Sequence, residues 1–168
     1  VLFFLNFSFF VKGHAQSKLQ GSDYTKALKN VTDIMVSDVT SPVAASRYYA
    51  YITLASYETM SFFQPEKFTS LSGTLQAFTL DRSKVLVDSF DTSLATILSV
   101  YIAGERFLPS GVQLHGYLDS LAKVYKKSSN DYYERSYKYA SLMVDQIVAY
   151  AKKDGFTRLS GMQKYTPK

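Results

Sequence analysis

The chain has 168 residues, 46% of them hydrophobic and 20% charged, which fits one folded domain and excludes a disordered tail. It has no cysteine, so disulfides, thiolate metal sites and cysteine nucleophiles are excluded, and two histidines are too few for a histidine-rich metal site. The formal net charge is +5, but the basic residues are scattered rather than gathered in a stripe, so nucleic-acid binding is not expected.

The chain opens with an apolar run, VLFFLNFSFFV, that has the length of a signal-peptide core and is too short to span a membrane as a helix. Gly13 and Ala15 then place small residues where signal peptidase favours them. Since neither an initiator Met nor a basic stretch precedes the run, we interpret residues 1–15 as a signal peptide truncated at its start. This predicts export to the periplasm or the extracellular space, with no membrane association after cleavage. The alternative is a buried N-terminal helix.

Two helices are predicted at the start of the remaining chain. Ser22 is expected to cap the first, with Asp23 in its first turn. Apolar residues then recur at helical spacing, at Leu28, Val31, Met35 and Val39. Ser41 followed by Pro42 is typical of a helix start. The second helix runs to about Met60 and is apolar nearly all round, so we expect it to be central in the fold.

The next part of the chain is less regular. Pro65 breaks the helical pattern and Gly73 interrupts it again, so that only a short helix around 67–77 is considered there. A third long helix is predicted to begin at 82–83 and to end near Arg106.

The last predicted helices are separated by turn-forming residues. A fourth helix follows the Pro-Ser-Gly stretch at 109–111 and continues to about Lys127. The stretch 128–130, Ser-Ser-Asn, is predicted to turn the chain and to cap a fifth helix that ends at Gly155. No alternating run of β-branched residues is present. The predicted fold class is therefore all-α, a helical bundle of five or six mostly antiparallel helices within residues 16–155.

Charged residues in these helices form no recognisable catalytic arrangement. Arg47 and Glu58 lie in the otherwise apolar second helix, where charges need partners, and we predict that Arg47 pairs with Asp38. Asp88 and Asp91 are three residues apart and are expected on a solvated helix face. There is no phosphate-binding glycine loop, dinucleotide fingerprint or zinc-protease motif. We therefore assign no catalytic, cofactor-binding or metal-binding residue to this chain.

Three stretches of the sequence resemble a known family. They are DVTSPVAASRYYAYITLASYETM at 38–60, FQPEKFTSLSGTL at 63–75 and SYKYASLMVDQIVAYAKKDGF at 136–156. They resemble the N-terminal half of the secreted bacterial vanadium-dependent haloperoxidase-like proteins of the type-2 phosphatidic acid phosphatase (PAP2) superfamily. The most specific matching residues are Asp38, Ser41, Pro42, Ala45, Ser46, Arg47, Tyr49 and Tyr51.

The resemblance implies an oxyanion site built from Lys-x6-Arg-Pro, Pro-Ser-Gly-His and Ser-Arg-x5-His-x3-Asp motifs. Such motifs form a cationic cage around vanadate or phosphate, with one histidine bonded to the anion and another acting as acid and base. The chain has no Arg-Pro. The Ser-Arg at 46–47 is followed by Thr53 and Tyr57 where histidine and aspartate belong. In the family these motifs lie in the C-terminal half.

The Pro-Ser-Gly stretch at 109–111 matches the second motif in three of its four residues. Val112 stands where the motif requires histidine. We therefore interpret the stretch as a turn between two helices, with Ser110 as a candidate cap. His115, in the first turn of the next helix, is expected on the surface or as a capping residue.

These observations favour the N-terminal helical half of a secreted vanadium haloperoxidase or acid phosphatase-like protein, inactive alone. Its partner would be the C-terminal half of the same protein, and residues 156–168 would begin the linker to it. Vanadate is expected only in that parent, where it would support halide oxidation; without it the same cage would hydrolyse phosphate esters. The alternatives are a non-enzymatic exported helical interaction domain and a periplasmic binding module that uses tyrosine-rich helix faces. No oligomeric state is predicted.

Overall fold

The computed structural model describes residues 19–85, 89–155 and 158, with the backbone alone at 128–130. The signal peptide predicted over residues 1–15 lies outside this part of the chain. So does the linker predicted over 156–168, apart from Arg158. Both stay predictions.

The described residues form four α-helices and two short 3-10 helices, with no strand among them. The α-helices are α1 (Gly21–Ser37), α2 (Pro42–Phe63), α3 (Thr92–Phe107) and α4 (His115–Lys153), and the 3-10 helices are Arg82–Val85 and Gly111–Leu114. The predicted all-α helical bundle is confirmed. Within the described residues, no helix combines the length and the apolar character needed to cross a membrane.

The starts of α1 and α2 follow capping chemistry. At α1 the cap is Gln20, whose backbone N–H donates to Oδ2 of Asp23 at 2.8 Å. Ser22 lies inside the first turn, so the cap predicted there is wrong. At α2 the prediction is confirmed, because Oγ of Ser41 accepts the N–H of Ala44 at 3.4 Å and proline occupies the first turn.

α3 begins later than the sequence predicts. Arg82–Val85 forms only a 3-10 turn, and the α-helix starts at Thr92. Asp91 caps it, with Oδ1 accepting the N–H of Leu94 at 3.0 Å. Asp91 is therefore a helix cap rather than a residue on a solvated helix face. Its predicted companion, Asp88, lies outside the described residues.

α3, rather than α2, is the central helix. Twelve of its 16 residues are buried, and it packs against α1, α2 and α4. The hydroxyls of Thr59 and Ser99 lie 2.8 Å apart, and the ring centroids of Tyr51 and Phe107 lie 5.0 Å apart. Because these two contacts pair the C-terminal part of α2 with the middle of α3 and the middle of α2 with the end of α3, the two helices are antiparallel.

α4 is one 39-residue helix where two helices were predicted with a turn at 128–130. It is nevertheless sharply bent. Tyr133 Oη donates to the carbonyl oxygen of Leu118 at 3.4 Å across 15 residues, although a straight helix would separate such residues by roughly 22 Å. Near the bend, Nζ of Lys126 lies 2.6 Å from Oε1 of Glu134. The chain therefore bends sharply between Leu118 and Tyr133.

Candidate functional site

The Pro-Ser-Gly stretch at 109–111 is a turn, as predicted. An anion-binding loop would offer its backbone N–H groups to the ligand, but here the N–H of Ser110 donates to Oδ2 of Asp38 at 3.1 Å. The N–H of Gly111 donates to the carbonyl oxygen of Leu108, also at 3.1 Å. Both donors are satisfied inside the protein, which leaves the stretch unable to cradle an oxyanion in this conformation.

Close packing explains the glycine in this turn. A Cβ on Gly111 would lie 2.6 Å from the carbonyl oxygens of both Gly104 and Glu105. The side chain of Ser110 makes no capping hydrogen bond, so the cap considered there is wrong. His115 lies on the surface in the first turn of α4, as predicted, with Nδ1 3.0 Å from Oε1 of Glu105.

Arg47, Tyr51 and Asp154 form a compact polar network where α2 meets the end of α4. Nη2 of Arg47 donates to Oη of Tyr51 at 2.7 Å and lies 2.8 Å from Oδ1 of Asp154. The hydroxyl of Tyr51 in turn donates to Oδ2 of Asp154. The predicted Asp38–Arg47 pair does not form, because Asp38 turns to Ser110. Sequence reasoning missed Asp154 as the partner of Arg47.

The protonation of this network follows from its surroundings. Burial, aided by the hydrogen bond to Asp154, raises the pKa of Tyr51 to about 12. The hydrogen bond to Tyr51 is the main cause that raises the pKa of Arg47. At neutral pH the phenol is therefore protonated and the guanidinium charged. Tyr51 bridges a cation and an anion, which suits it to positioning rather than to proton transfer or nucleophilic attack.

This network lines part of a cavity of about 620 Å³, which we call the tyrosine cleft. Its main lining residues are Tyr24 from α1, Arg47, Tyr51 and Tyr57 from α2, and Tyr150 and Asp154 from the end of α4. Four of the α2 lining residues, Arg47, Ala50, Leu54 and Tyr57, recur every three or four residues, which places them on one face of the helix. This spacing is visible in the sequence of α2, but it does not indicate which residues of α4 lie opposite.

Glu58 holds the loop that forms another wall of the cleft. Its side chain is buried, with Oε1 accepting the N–H of Leu71 and Oε2 accepting the hydroxyl of Ser70, both at 2.7 Å. Ser61 adds a third hydrogen bond at 3.0 Å. The partners that this carboxylate was expected to need are thus amide and hydroxyl donors. Turns replace the short helix considered over 67–77, and Leu71 lines the cleft.

The described residues contain no cage that fits vanadate or phosphate. Arg47, the arginine of the Ser-Arg pair, is committed to Asp154. Thr53 and Tyr57 stand where the third motif requires histidine and aspartate, and their hydroxyls donate to backbone carbonyl oxygens at 2.7 and 2.8 Å. Nor do three or more His, Cys, Asp or Glu side chains meet as a metal site within the described ranges.

No protein-family model matches the chain, and no curated protein matches it significantly. Its structure is similar to the crystal structure of a bacterial vanadium-dependent iodoperoxidase, with a TM-score of 0.78 and 24% sequence identity. The similarity covers 91% of this chain and 37% of the iodoperoxidase chain. The predicted relationship to vanadium haloperoxidase-like proteins is confirmed at the level of the fold. The chain thus has the fold of part of a vanadium iodoperoxidase and spans little more than a third of its length.

Proposed function

We propose that the chain is the N-terminal helical half of an exported vanadium haloperoxidase-like protein. It packs against a separate part of the same polypeptide that binds vanadate or phosphate. The observation that carries the proposal is the asymmetry of the structural match, which covers 91% of this chain and 37% of the iodoperoxidase. A fold that recurs as the smaller part of a longer enzyme is best explained as one of its structural parts.

The chemistry of the described residues supports a scaffolding role for this part. An oxyanion cage needs several cationic side chains directed at one point. Here Arg47 is neutralised by Asp154, Arg106 lies 3.4 Å from Asp145, and Lys126 lies 2.6 Å from Glu134. The missing cationic groups would come from the other part of the protein, where vanadate, when bound, would supply the oxidation of halide by peroxide.

The first test is the nucleotide sequence that follows the codon of Lys168. The proposal expects the reading frame to continue into Lys-x6-Arg-Pro, Pro-Ser-Gly-His and Ser-Arg-x5-His-x3-Asp. A stop codon directly after Lys168 would contradict the proposal.

A second test compares vanadate binding by this chain and by the longer polypeptide. Calorimetric titration with orthovanadate should give no saturable heat with the 168-residue chain and a saturable signal with the longer protein. Tight vanadate binding by this chain alone would show that a complete cage lies within it, and the proposed division of labour would then be wrong.

A further inference from the structure

We propose that the tyrosine cleft binds a small, uncharged aromatic molecule that carries a hydroxyl or carbonyl oxygen. Its volume of about 620 Å³ falls within the range of roughly 300–1,000 Å³ found for small-molecule sites. Its walls come from α1, α2, α4 and the loop fixed by Glu58. Because α2 packs against α4 and Tyr24 of α1 is hydrogen-bonded to Ser56 of α2, the shape of the cleft is largely preformed, which lowers the entropic cost of binding.

The walls of the cleft favour a flat ring. Tyr24, Tyr57 and Tyr150 are only partly buried, so part of each side chain stays accessible. All three rings are held in place, and the hydroxyl of Tyr24 lies 2.9 Å from Oγ of Ser56. The hydroxyl of Tyr57 donates to the carbonyl oxygen of Thr69 at 2.8 Å, and the ring of Tyr150 lies edge-on to Tyr51 with centroids 6.3 Å apart. Fixed tyrosine rings offer offset-stacked and edge-to-face contacts to a second aromatic ring at little conformational cost.

The charges in the cleft favour a neutral ligand. Arg47 and Asp154, the charged side chains among its lining residues, lie 2.8 Å apart and are joined through Tyr51. An anion bonded to Arg47 would lie close to the carboxylate of Asp154, and a cation bonded to Asp154 would lie close to the guanidinium of Arg47. Because the pair carries no net charge, a charged ligand gains little over an uncharged one of the same shape.

Arg47 also provides the polar contact that orients the ligand. Its bond to Tyr51 and its pairing with Asp154 both involve Nη2, whereas a guanidinium has five N–H donors in all. The side chain is 30% exposed. The other donors can therefore reach an oxygen acceptor on a ring that lies against the tyrosines. This inference concerns the described residues alone and does not depend on the proposed vanadate-binding part.

The test is an NMR titration of the intact chain with three probes that share a benzyl or phenyl ring: benzyl alcohol, benzoate and benzylammonium. We expect saturable shifts with benzyl alcohol, with a dissociation constant on the order of 1 mM, as befits a ligand of this size. Benzoate and benzylammonium should bind about tenfold more weakly or worse. Equal binding of all three probes, or no saturable binding of benzyl alcohol, would overturn the proposal.

Variants locate the binding in the cleft. Ala50 lines it from an exposed position on α2, so Ala50→Trp fills the cavity without entering the core. We expect this variant to bind benzyl alcohol at least about tenfold more weakly. Ala149→Trp, at an exposed position of α4 outside the lining, is the matched control and should bind as the parent chain does.

Leu75→Trp fills the same space from the loop wall. It is the second filling variant, to be used if Ala50→Trp lowers the melting temperature. If either filling variant folds and still binds benzyl alcohol with the affinity of the parent chain, the cleft is not the site.

Discussion

Asp38 accepts a hydrogen bond from the backbone N–H of Ser110, 72 residues further along the chain, at 3.1 Å. The contact joins the turn after α1 to the connection after α3 at one end of the bundle. It also takes up a backbone donor that a phosphate or vanadate oxygen would need in a Pro-Ser-Gly-His loop. Because a carboxylate of the protein itself accepts this hydrogen bond, the stretch has a structural role, although it matches three of the four residues of an anion-binding motif.

Removing this carboxylate should destabilise the protein without creating an anion site. Asp38→Ala leaves the N–H of Ser110 without its acceptor, and we expect the free energy of unfolding in urea to fall by about 1–2 kcal/mol. Asp119→Ala, at an exposed position of α4, is the control and should change it by less than about 0.5 kcal/mol. Equal effects of the two substitutions would mean that the Asp38–Ser110 contact contributes nothing.

Two glycines close to each other in sequence should respond to alanine with opposite signs. Gly111→Ala places a Cβ 2.6 Å from two backbone carbonyl oxygens, and we expect a loss of about 2 kcal/mol or more in unfolding free energy. At Gly116 a Cβ meets nothing within 4 Å. Because it lies in the first turns of α4, Gly116→Ala should stabilise by about 0.5–1 kcal/mol. Thermal melts of both variants test this. If Gly111→Ala leaves the stability unchanged, the close packing around Gly111 does not exclude a side chain.

Glu58 should matter through its hydrogen bonds rather than through a charge pair. Glu58→Ala leaves the N–H of Leu71 and the hydroxyl of Ser70 without their acceptor and removes one of two acceptors of Ser61. We expect a loss of about 3 kcal/mol in a urea titration. Glu58→Gln keeps one acceptor oxygen, so its loss should be nearer about 1 kcal/mol. Glu66→Gln, which is exposed, should be silent. A Gln variant as damaged as the Ala variant would show that the negative charge itself is needed.

The ionisation of Tyr51 should make the free energy of unfolding depend on pH in the alkaline range. Its pKa is raised to about 12, mainly by burial and also by the hydrogen bond to Asp154. An unfolded tyrosine titrates near 10. The folded state holds this proton more tightly, so the stabilisation is complete below about pH 10 and is lost as the pH rises towards 12. Tyr51→Phe should be less stable at neutral pH, because it loses the hydrogen bonds to Arg47 and Asp154.

The measurement is the unfolding free energy at about pH 9 and about pH 11.5, on either side of the tyrosine range. The Tyr51→Phe variant should lose less stability over this interval than the parent chain. Equal losses in the Tyr51→Phe variant and the parent chain would rule out Tyr51 as the group responsible.

Features set by neighbouring residues could be predicted from the sequence, and contacts between distant ones could not. Ser41 and the proline after it start α2, and Gly155 ends α4 with a φ of +85°, because such chemistry acts within a turn. The choice of Asp154 over Asp38 as partner for Arg47 depends on how α4 lies against α2. No local pattern encodes that packing.

The same dependence on contacts between distant residues explains why α4 was predicted as two helices and why the tyrosine cleft was not predicted. The stretch 128–130 has turn-forming residues and lies within the bend between Leu118 and Tyr133, although α4 extends from His115 to Lys153. The sequence identified the tyrosine-rich helices without showing which rings share a cavity. The partners of Glu58, in the loop after α2, depend equally on how that loop folds back.

The burial of α3 determines how the fold opens. Its residues from Leu94 to Gly104 are all buried beneath the other three α-helices. A peripheral helix can fray while the rest of the bundle stays intact, but solvent reaches the amides of α3 only when its neighbours separate. In native-state hydrogen exchange these amides should therefore be the slowest of the described residues, and their opening free energy should equal that of global unfolding. α3 is thus the part of the chain whose exchange reports whether the whole bundle has formed.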